Sequence, residues 1–424
     1  MSSSTLKSLD EYRDIIEKCV KCGACQAHCP VYLQERKEGA VARGKIALAQ
    51  AILDGDSELE ERLQEDISLC LMCGSCVAKC PNRVPTDEIV GAVRRQITNE
   101  QGLSMVGRAV HAVTGSRPLM RTLARTGSRL QPALFKQVPG ASGLRLRFPS
   151  PVMPGRSVPQ VARRSLFNRV GEFVQGSPEQ PTIGFFSGCS ITYIYPEIGE
   201  VVVGLLQRLG FSVALPRDQG CCGIPALSSG DGQLLRKVAK ANDHAFAGLE
   251  VEHVVTACAS CLGGIGHHYA TMNDGPQKLS SKAKDILVFL CEQGLDRTLE
   301  ALPRWQNRRR VTYHDPCHLR AQGITREPRA LLEALPNIDF VEMENAASCC
   351  GLGGTFSVYH YPLSKAIGEG KMSGLATSQA QTIATACPGC MIQLQDSINH
   401  AALNVQVVHV LDLVYQALKG PEKI

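Results

Sequence analysis

Nineteen cysteines in 424 residues are the part of this sequence most able to do chemistry. Two copies of one pattern open the chain: Cys19, Cys22, Cys25 and Cys29-Pro30, then Cys70, Cys73, Cys76 and Cys80-Pro81. Each reads C-x2-C-x2-C-x3-C-P. Three closely spaced thiolates can wrap three corners of one cubic 4Fe–4S cluster. A fourth, held away by a proline-directed turn, reaches the other cube. The spacing therefore predicts one cluster on Cys19, Cys22, Cys25 and Cys80, and a second on Cys70, Cys73, Cys76 and Cys29. Zinc is the competing reading, but its four ligands usually come as two separated pairs. Here four thiolates recur in a run, twice, each with its proline.

Ten more cysteines form an internal duplication. Cys189, Cys221-Cys222-Gly223 and Cys258-x2-Cys261 make the first set; Cys317, Cys349-Cys350-Gly351 and Cys387-x2-Cys390 make the second. Corresponding cysteines lie 128, 128 and 129 residues apart. Such a fixed offset marks a repeated structural unit. Five thiolates exceed what a cubane needs. A cubane with a spare thiol, a cluster of unusual shape with a thiolate bridging two irons, and zinc with a redox thiol are all compatible with the count. The glycine after each adjacent pair relieves a crowded backbone. Only Cys291 is left over; it sits in the apolar run ILVFLCEQGL and reads as a small hydrophobe.

The elements needed to position these cysteines can be read from the intervening sequence. The 40 residues between the two opening runs are rich in Ala, Leu, Glu, Arg and Lys at helical spacing. Ser57 before Glu60 resembles a capping box, and another helix is expected near Asp87–Glu100. The N-terminal region should be all-α. In the second half, short β-branched runs lead toward the cysteines: 183–186 before Cys189, 254–257 before Cys258, 311–314 before Cys317 and 383–386 before Cys387. They read as buried parallel strands. Helical stretches follow at 199–209 and 362–376, so each repeat is predicted to be an α/β unit with a parallel sheet. Open sheets of this kind bind ligands at the carboxyl ends of their strands.

Composition bounds the function. Hydrophobic residues make up 44% and charged residues 20%, ordinary values for a globular protein and against a disordered one. Aromatic residues reach only 5%, which argues against a base-stacking reader of single strands. The sequence has no run of apolar residues long enough to span a bilayer and no secretory leader pattern, so a cytoplasmic protein is expected. Residues 101–180 carry 12 Lys or Arg against Glu172 and Glu179, a net +10 beside +5 for the whole chain. This stretch, rich in Pro, Gly and Ser after about residue 126, reads as a basic interdomain connection with an amphipathic helix within 105–130. A solvated linker, a partner-subunit contact and a contact with anionic lipid compete for it. No reader motif supports nucleic-acid binding.

His314 and His318 flank Cys317, and His267 and His268 follow the first CxxC; they could orient or protonate groups near a cluster, or be structural. His28 beside Cys29 would tune its surroundings. GLGGTF after Cys350 is not a dinucleotide fingerprint, and there is no P-loop or haem attachment motif. With clusters but no recognised site for flavin or nicotinamide, the chain reads as an electron conduit that is part of a larger oxidoreductase. No catalytic residue is singled out.

These motifs resemble the cysteine-rich CCG proteins. That family includes the iron–sulfur subunits of glycolate oxidase and D-lactate dehydrogenase, the catalytic subunit of heterodisulfide reductase, and the anaerobic glycerol-3-phosphate dehydrogenase electron-transfer subunit. The resemblance covers nearly the whole chain. It implies a helical two-cluster domain over 1–100, the basic linker over 101–180, and CCG units over 181–300 and 308–424. It also implies one or two further 4Fe–4S clusters, of non-cubane form in heterodisulfide reductase. Their ligands would be Cys189, Cys221, Cys222, Cys258 and Cys261, and Cys317, Cys349, Cys350, Cys387 and Cys390. The implied function is to carry electrons from an FAD-containing D-2-hydroxyacid dehydrogenase subunit, acting on D-lactate or glycolate, to a quinone or other carrier. A peripheral place on the inner face of the cytoplasmic membrane would suit a quinone acceptor. Cleavage of a disulfide at the C-terminal set is the alternative, together with the glycerol-3-phosphate role. Many glycolate oxidase subunits lack ligands in the first repeat, whereas both repeats are complete here.

Overall fold

The computed structural model describes residues 6–138, 143–148, 154–272, 275 and 277–420. Up to residue 134 the described chain contains helices and no strand. The insert between the opening cysteine runs folds as Pro30–Glu35, Ala42–Asp54 and Glu61–Ser68, and Thr86–Gln101 follows Cys80. The last three meet over Ile16, Ile46, Ala49, Leu63, Ile67, Ile89, Val90 and Val93, whereas Val31 of the first packs with Leu69, Phe356, Leu363 and Ile367. This small core holds the two cysteine runs against one another. Pro30 starts its helix at the position where the missing N–H costs nothing, and Cys29 occupies the N-cap, its Sγ accepting from Tyr32 N at 3.5 Å.

The capping box expected at Ser57 does not form. Leu59 packs on the helical core and Glu60 N bonds Glu58 O at 2.8 Å, so the first helical residue is Glu61, four positions past Ser57. A cap must directly precede the first helical residue. Ser57 Oγ instead lies 3.3 Å from Glu58 O.

The basic stretch carries two helices, Met105–Thr114 and Arg117–Leu134, and a three-stranded antiparallel sheet of Phe135–Gln137, Leu144–Leu146 and Ser157–Val158. It is fastened to both repeats of the C-terminal region. His111 Nδ1 meets Asp231 at 2.9 Å. The buried Arg156 guanidinium donates to Ser357 O at 2.8 Å and lies over the Tyr361 ring, and Ser157 N donates to Asp396 at 2.7 Å.

Two sheets form the second half. The first has the order Phe173–Val174, Ser212–Ala214, Thr182–Phe185, Val254–Thr256, Ala283–Asp285, parallel except for the first strand. The second has the order Ile338–Phe340, Arg309–His314, Thr382–Thr385, Gln406–His409, all parallel. The four parallel strands of one repeat correspond in sequence order to the four of the other. The observed helix Pro196–Arg208 overlaps the expected 199–209, and Tyr361–Ser378 brackets the expected 362–376. One hydrophobic core, from Leu166 to Ala417, runs through both sheets.

Each repeat ends its fourth strand on a residue that caps the following helix. Asp285 accepts from Leu287 N at 2.8 Å, and His409 Nδ1 accepts from Leu411 N at 3.2 Å. Because Nδ1 accepts, the proton is on Nε2, which donates to Ala257 O at 3.0 Å, next to Cys258 in the other repeat. Burial drives the His409 pKa down to about 4, which keeps the ring neutral for this role.

Asp285 Oδ2 is buried without a partner among the described residues, and burial pushes its carboxyl from 3.8 up to about 7. A folded pKa above the unfolded one gives stability that is full below about pH 4 and is lost as pH rises through about 7. Asp285→Asn, which keeps an acceptor for Leu287 N, should flatten that slope and raise the thermal midpoint near pH 7.5 by a few degrees. Anaerobic unfolding scans across this range would check it.

Candidate iron–sulfur sites and an adjoining cavity

None of the nineteen cysteines is in a disulfide, and eighteen fall in the two runs and two repeated sets. Cys19, Cys22, Cys25 and Cys80 line one cavity of the helical domain, and Cys76 lines it as well. Cys29, Cys70, Cys73 and Cys76 line the next. Each cavity thus brings the first three cysteines of one run together with the last cysteine of the other, and Cys76 lines both. The donor chemistry fits an iron–sulfur cluster: only sulfur converges, and no carboxylate or imidazole lines the first cavity. Burial pushes the Cys29 thiol up to about 11 and raises Cys76 as well. Thiols held protonated by burial give up their protons when a metal takes the sulfur.

The two remaining sets sit beyond the strand ends, where the parallel sheets position them. Thr182–Phe185 leads to Cys189 and Val254–Thr256 to Cys258; Arg309–His314 leads to Cys317 and Thr382–Thr385 to Cys387. The adjacent pairs close on Gly223 at φ +88° and Gly351 at φ +96°, the left-handed turn that lets both sulfurs face inward. Contact with Cys221 and Cys261 holds Cys222 well below the ordinary thiol range, and contact with Cys349 and Cys390 does the same for Cys350. Cys350 and Cys390 lie 3.6 Å apart, sulfur to sulfur.

The sets touch one another. Cys258 contacts Cys387, Ser260 Oγ lies 3.5 Å from Cys387 Sγ, and Ala259 N donates to Ala386 O at 3.2 Å. Across the other boundary, Cys73 of the helical domain contacts Cys349. Arg94 ties the helical domain to the first repeat, donating to Ile67, Ser68, Cys70 and Ser228 carbonyls at 2.7–3.0 Å. Sequence reasoning did not single out Arg94, because a lone arginine within a helical pattern carries no local signal.

The two sets are not equivalent in charge. Under the second, the buried Lys371 Nζ donates to the Asn345, Ala346 and Ser348 carbonyls at 2.6–3.1 Å. Under the first, 129 residues earlier, the neutral Asn242 bonds Cys221 O at 2.9 Å and Gly220 N at 2.8 Å. Burial lowers the Lys371 pKa to about 8, so it stays mostly cationic at pH 7. A buried cation favours the more negative, reduced form of whatever the second set holds. Lys371→Met should lower the one-electron potential there by about 60 mV, if the charge contributes about 1.4 kcal/mol. An EPR-monitored redox titration of both sets checks the direction and the selectivity.

The histidines separate in role. Both ring nitrogens of buried His314 lack a hydrogen-bond partner among the described residues, and His314 groups with Cys350 and Cys390, their ligand atoms within 4.8 Å of one another. Phe186 stands at the equivalent place in the first repeat. His318 Nδ1 lies 3.8 Å from Cys317 Sγ. His318, His267 and His268 line a cavity of about 330 Å3 between the helical domain and the second set, together with Asp87, Glu88, Cys317, Cys349, Cys350, Cys387 and Cys390. No cysteine of the first set lines it. His28 is exposed. Cys291 packs half-buried on the core, its Sγ 3.7 Å from Glu327 O, and burial holds its thiol up at about 12, which suits a packing residue.

Similarity to known proteins agrees with this geometry. The model of a "cysteine-rich domain" named CCG matches residues 183–266 and 311–395, and that of a "4Fe-4S dicluster domain" matches residues 15–84. The chain is 30% identical over 416 residues to a "probable glycolate oxidase iron-sulfur subunit" of Bacillus subtilis, covering 94% of this chain and 93% of that one. It is 26% identical to a subunit of the dihydromethanophenazine:CoB–CoM heterodisulfide reductase of Methanosarcina acetivorans, covering 95% and 94%. Lactate utilization protein A of Geobacillus kaustophilus is 29% identical over 243 residues, 55% of this chain and 98% of that one.

Proposed function

The chain belongs to the family of iron–sulfur proteins that join a 4Fe–4S dicluster domain to two cysteine-rich CCG domains, and from that premise we propose that it is the electron-transfer subunit of a flavin-dependent D-2-hydroxyacid oxidoreductase. D-lactate or glycolate would be oxidised on a separate FAD subunit, and the electrons would leave toward a quinone or another carrier. Two relatives whose names refer to glycolate oxidase and lactate utilization support this substrate class.

The observation that carries the reading is the close placing of the cysteine sets: Cys73 of the helical domain lines one cavity with Cys317, Cys349, Cys350, Cys387 and Cys390, and Ser260, two residues past Cys258, lies 3.5 Å from Cys387 Sγ. Cys19, Cys22, Cys25 and Cys80 would hold one cubane, and Cys70, Cys73, Cys76 and Cys29 the other. The five-cysteine sets would hold the remaining one or two clusters. Bound clusters supply one-electron steps between a two-electron flavin and the acceptor. The protein's own part is to hold the sulfurs in contact: His409 fixes the loop before Cys258, Arg94 fixes the turn before Cys73, and Lys371 biases the second set.

The experiment is anaerobic purification of the protein with its bound partners, followed by D-lactate or glycolate. Cluster reduction seen by absorbance and EPR, with FAD in the preparation, supports the reading; no reduction by either acid overturns it. A second reading, thiol–disulfide chemistry on this chain, is favoured by the cavity that opens onto the second set beside His318. A new paramagnetic species on adding a disulfide or thiol pair, and none with the hydroxyacids, would select it.

A further inference from the structure

The positive charge of residues 101–180 is not spread evenly over the surface. Arg121, Arg125 and Arg129 stand at successive four-residue steps on the Arg117–Leu134 helix, so they share one face. Arg163 comes from the segment that passes opposite. Together with Ser165, Asn168 and Tyr193 they line a cleft of about 500 Å3. A second cleft of about 350 Å3, lined by Arg125, Ser128, Arg129 and Arg163, shares three of the same arginines.

No acidic side chain among the described residues lines either cleft. Among the described residues none of these four guanidiniums has an ion-pair partner, whereas Arg169, a few residues away, pairs with Glu197 at 2.8 Å and Glu200 at 3.1 Å. Like charges four apart on a helix cost about 0.2–0.5 kcal/mol per pair. Here the protein spaces them so and adds a fourth from the facing wall, without supplying a counter-charge. The wall itself is fixed: buried Gln131 exchanges two hydrogen bonds with Val161, at 3.0 Å each, and Ala162 N donates to Tyr193 O at 2.9 Å. The guanidiniums therefore face one another across a braced cleft.

We propose that this cleft is a binding site for a phosphate ester or pyrophosphate group. Guanidinium forks match phosphate oxygens bidentately, and several of them neutralise a polyanion that a single arginine would leave charged. Ser165, Asn168 and Tyr193 line the same cleft with neutral polar groups. The phosphate could be carried by a soluble phosphoester or by the headgroup of an anionic lipid. Leu119, Leu123, Leu130 and Leu134 are exposed on the far side of the same helix and do not line the cleft. Tyr193 closes the short helix that bears Cys189, so the ligand would sit at the margin of the first CCG set. The site stands on the arginine geometry alone and does not depend on the hydroxyacid reading.

The test uses the intact holoprotein, anaerobically, at about 0.15 M salt, where exposed charges are already screened beyond about 8 Å. Inorganic pyrophosphate is titrated by calorimetry, and flotation is measured with vesicles of phosphatidylcholine alone or with phosphatidylglycerol. The double variant Arg125→Gln/Arg129→Gln should bind at least about tenfold more weakly, while Arg308→Gln, elsewhere on the surface, binds as the native chain does. Iron content and the visible spectrum report that both variants are folded and loaded. Pyrophosphate binding without vesicle binding supports the site with a soluble ligand. Flotation only with phosphatidylglycerol, lost in the double variant, supports it with a lipid ligand. Binding of neither probe, or equal binding by the double variant, overturns it.

Discussion

Cys29→Ser should remove about four irons per chain from the site that contains Cys70, Cys73 and Cys76, and leave the site of Cys19, Cys22 and Cys25 loaded. Cys80→Ser should do the reverse. The expectation runs against sequence order, because Cys29 belongs to the first run and Cys80 to the second. It rests on the two cavities: Cys29 lines the one with Cys70 and Cys73, and Cys80 lines the one with Cys19 and Cys22. Iron and sulfide analysis with EPR of the two variants distinguishes the crossed arrangement from the uncrossed one. If each substitution emptied the cavity of its own run, the assignment would be wrong. The two readings predict opposite spectra, so loss of one signal alone decides between them.

The second large effect is expected from Cys349. This residue touches Cys73 on one side and Cys350 on the other, so it stands where the helical domain meets the duplicated half. Cys349→Ser should cost the second set its cluster, about four irons, and stop electrons supplied to the helical domain from reaching the first set. Cys221→Ser, its counterpart, should empty the first set while the second is still reduced. Rapid-freeze EPR after reduction through the partner subunit would show the order. Equal effects from the two substitutions would mean that electrons do not enter the duplicated half at Cys349.

Much of the architecture was legible because its signals are local or periodic. The cysteine runs announce themselves by spacing, and the duplication by a constant offset. The strands before Cys189, Cys258, Cys317 and Cys387 are short β-branched segments that can only be buried. Ser57 shows where such reading fails: the capping pattern was present, but packing of Leu59 moved the helix start beyond its reach. The basic stretch shows what composition omits. An amphipathic helix within 105–130 was legible, and Met105–Thr114 falls there and Arg117–Leu134 begins there, but the tie of Gln131 to Val161 was not. A strap of this kind is held by partners distant in sequence, which composition does not record.

Which residues could bind metal, their arrangement in two runs and two repeated sets, and the strands and helices that carry them could all be read along the chain. Those properties follow from chemistry at a residue and from periodicity along the chain. Which sets meet depends on the folded arrangement. Cys73 reaches Cys349, Cys258 reaches Cys387, and Lys371 and Asn242 place a charge under one set and not the other. Those relations depend on how two sheets and a helical domain pack through one continuous core, and on the close approach of groups hundreds of residues apart. Sulfur contacts and buried charge act over a few ångströms of space, whatever the distance along the chain, which is why they emerge only once the chain is folded.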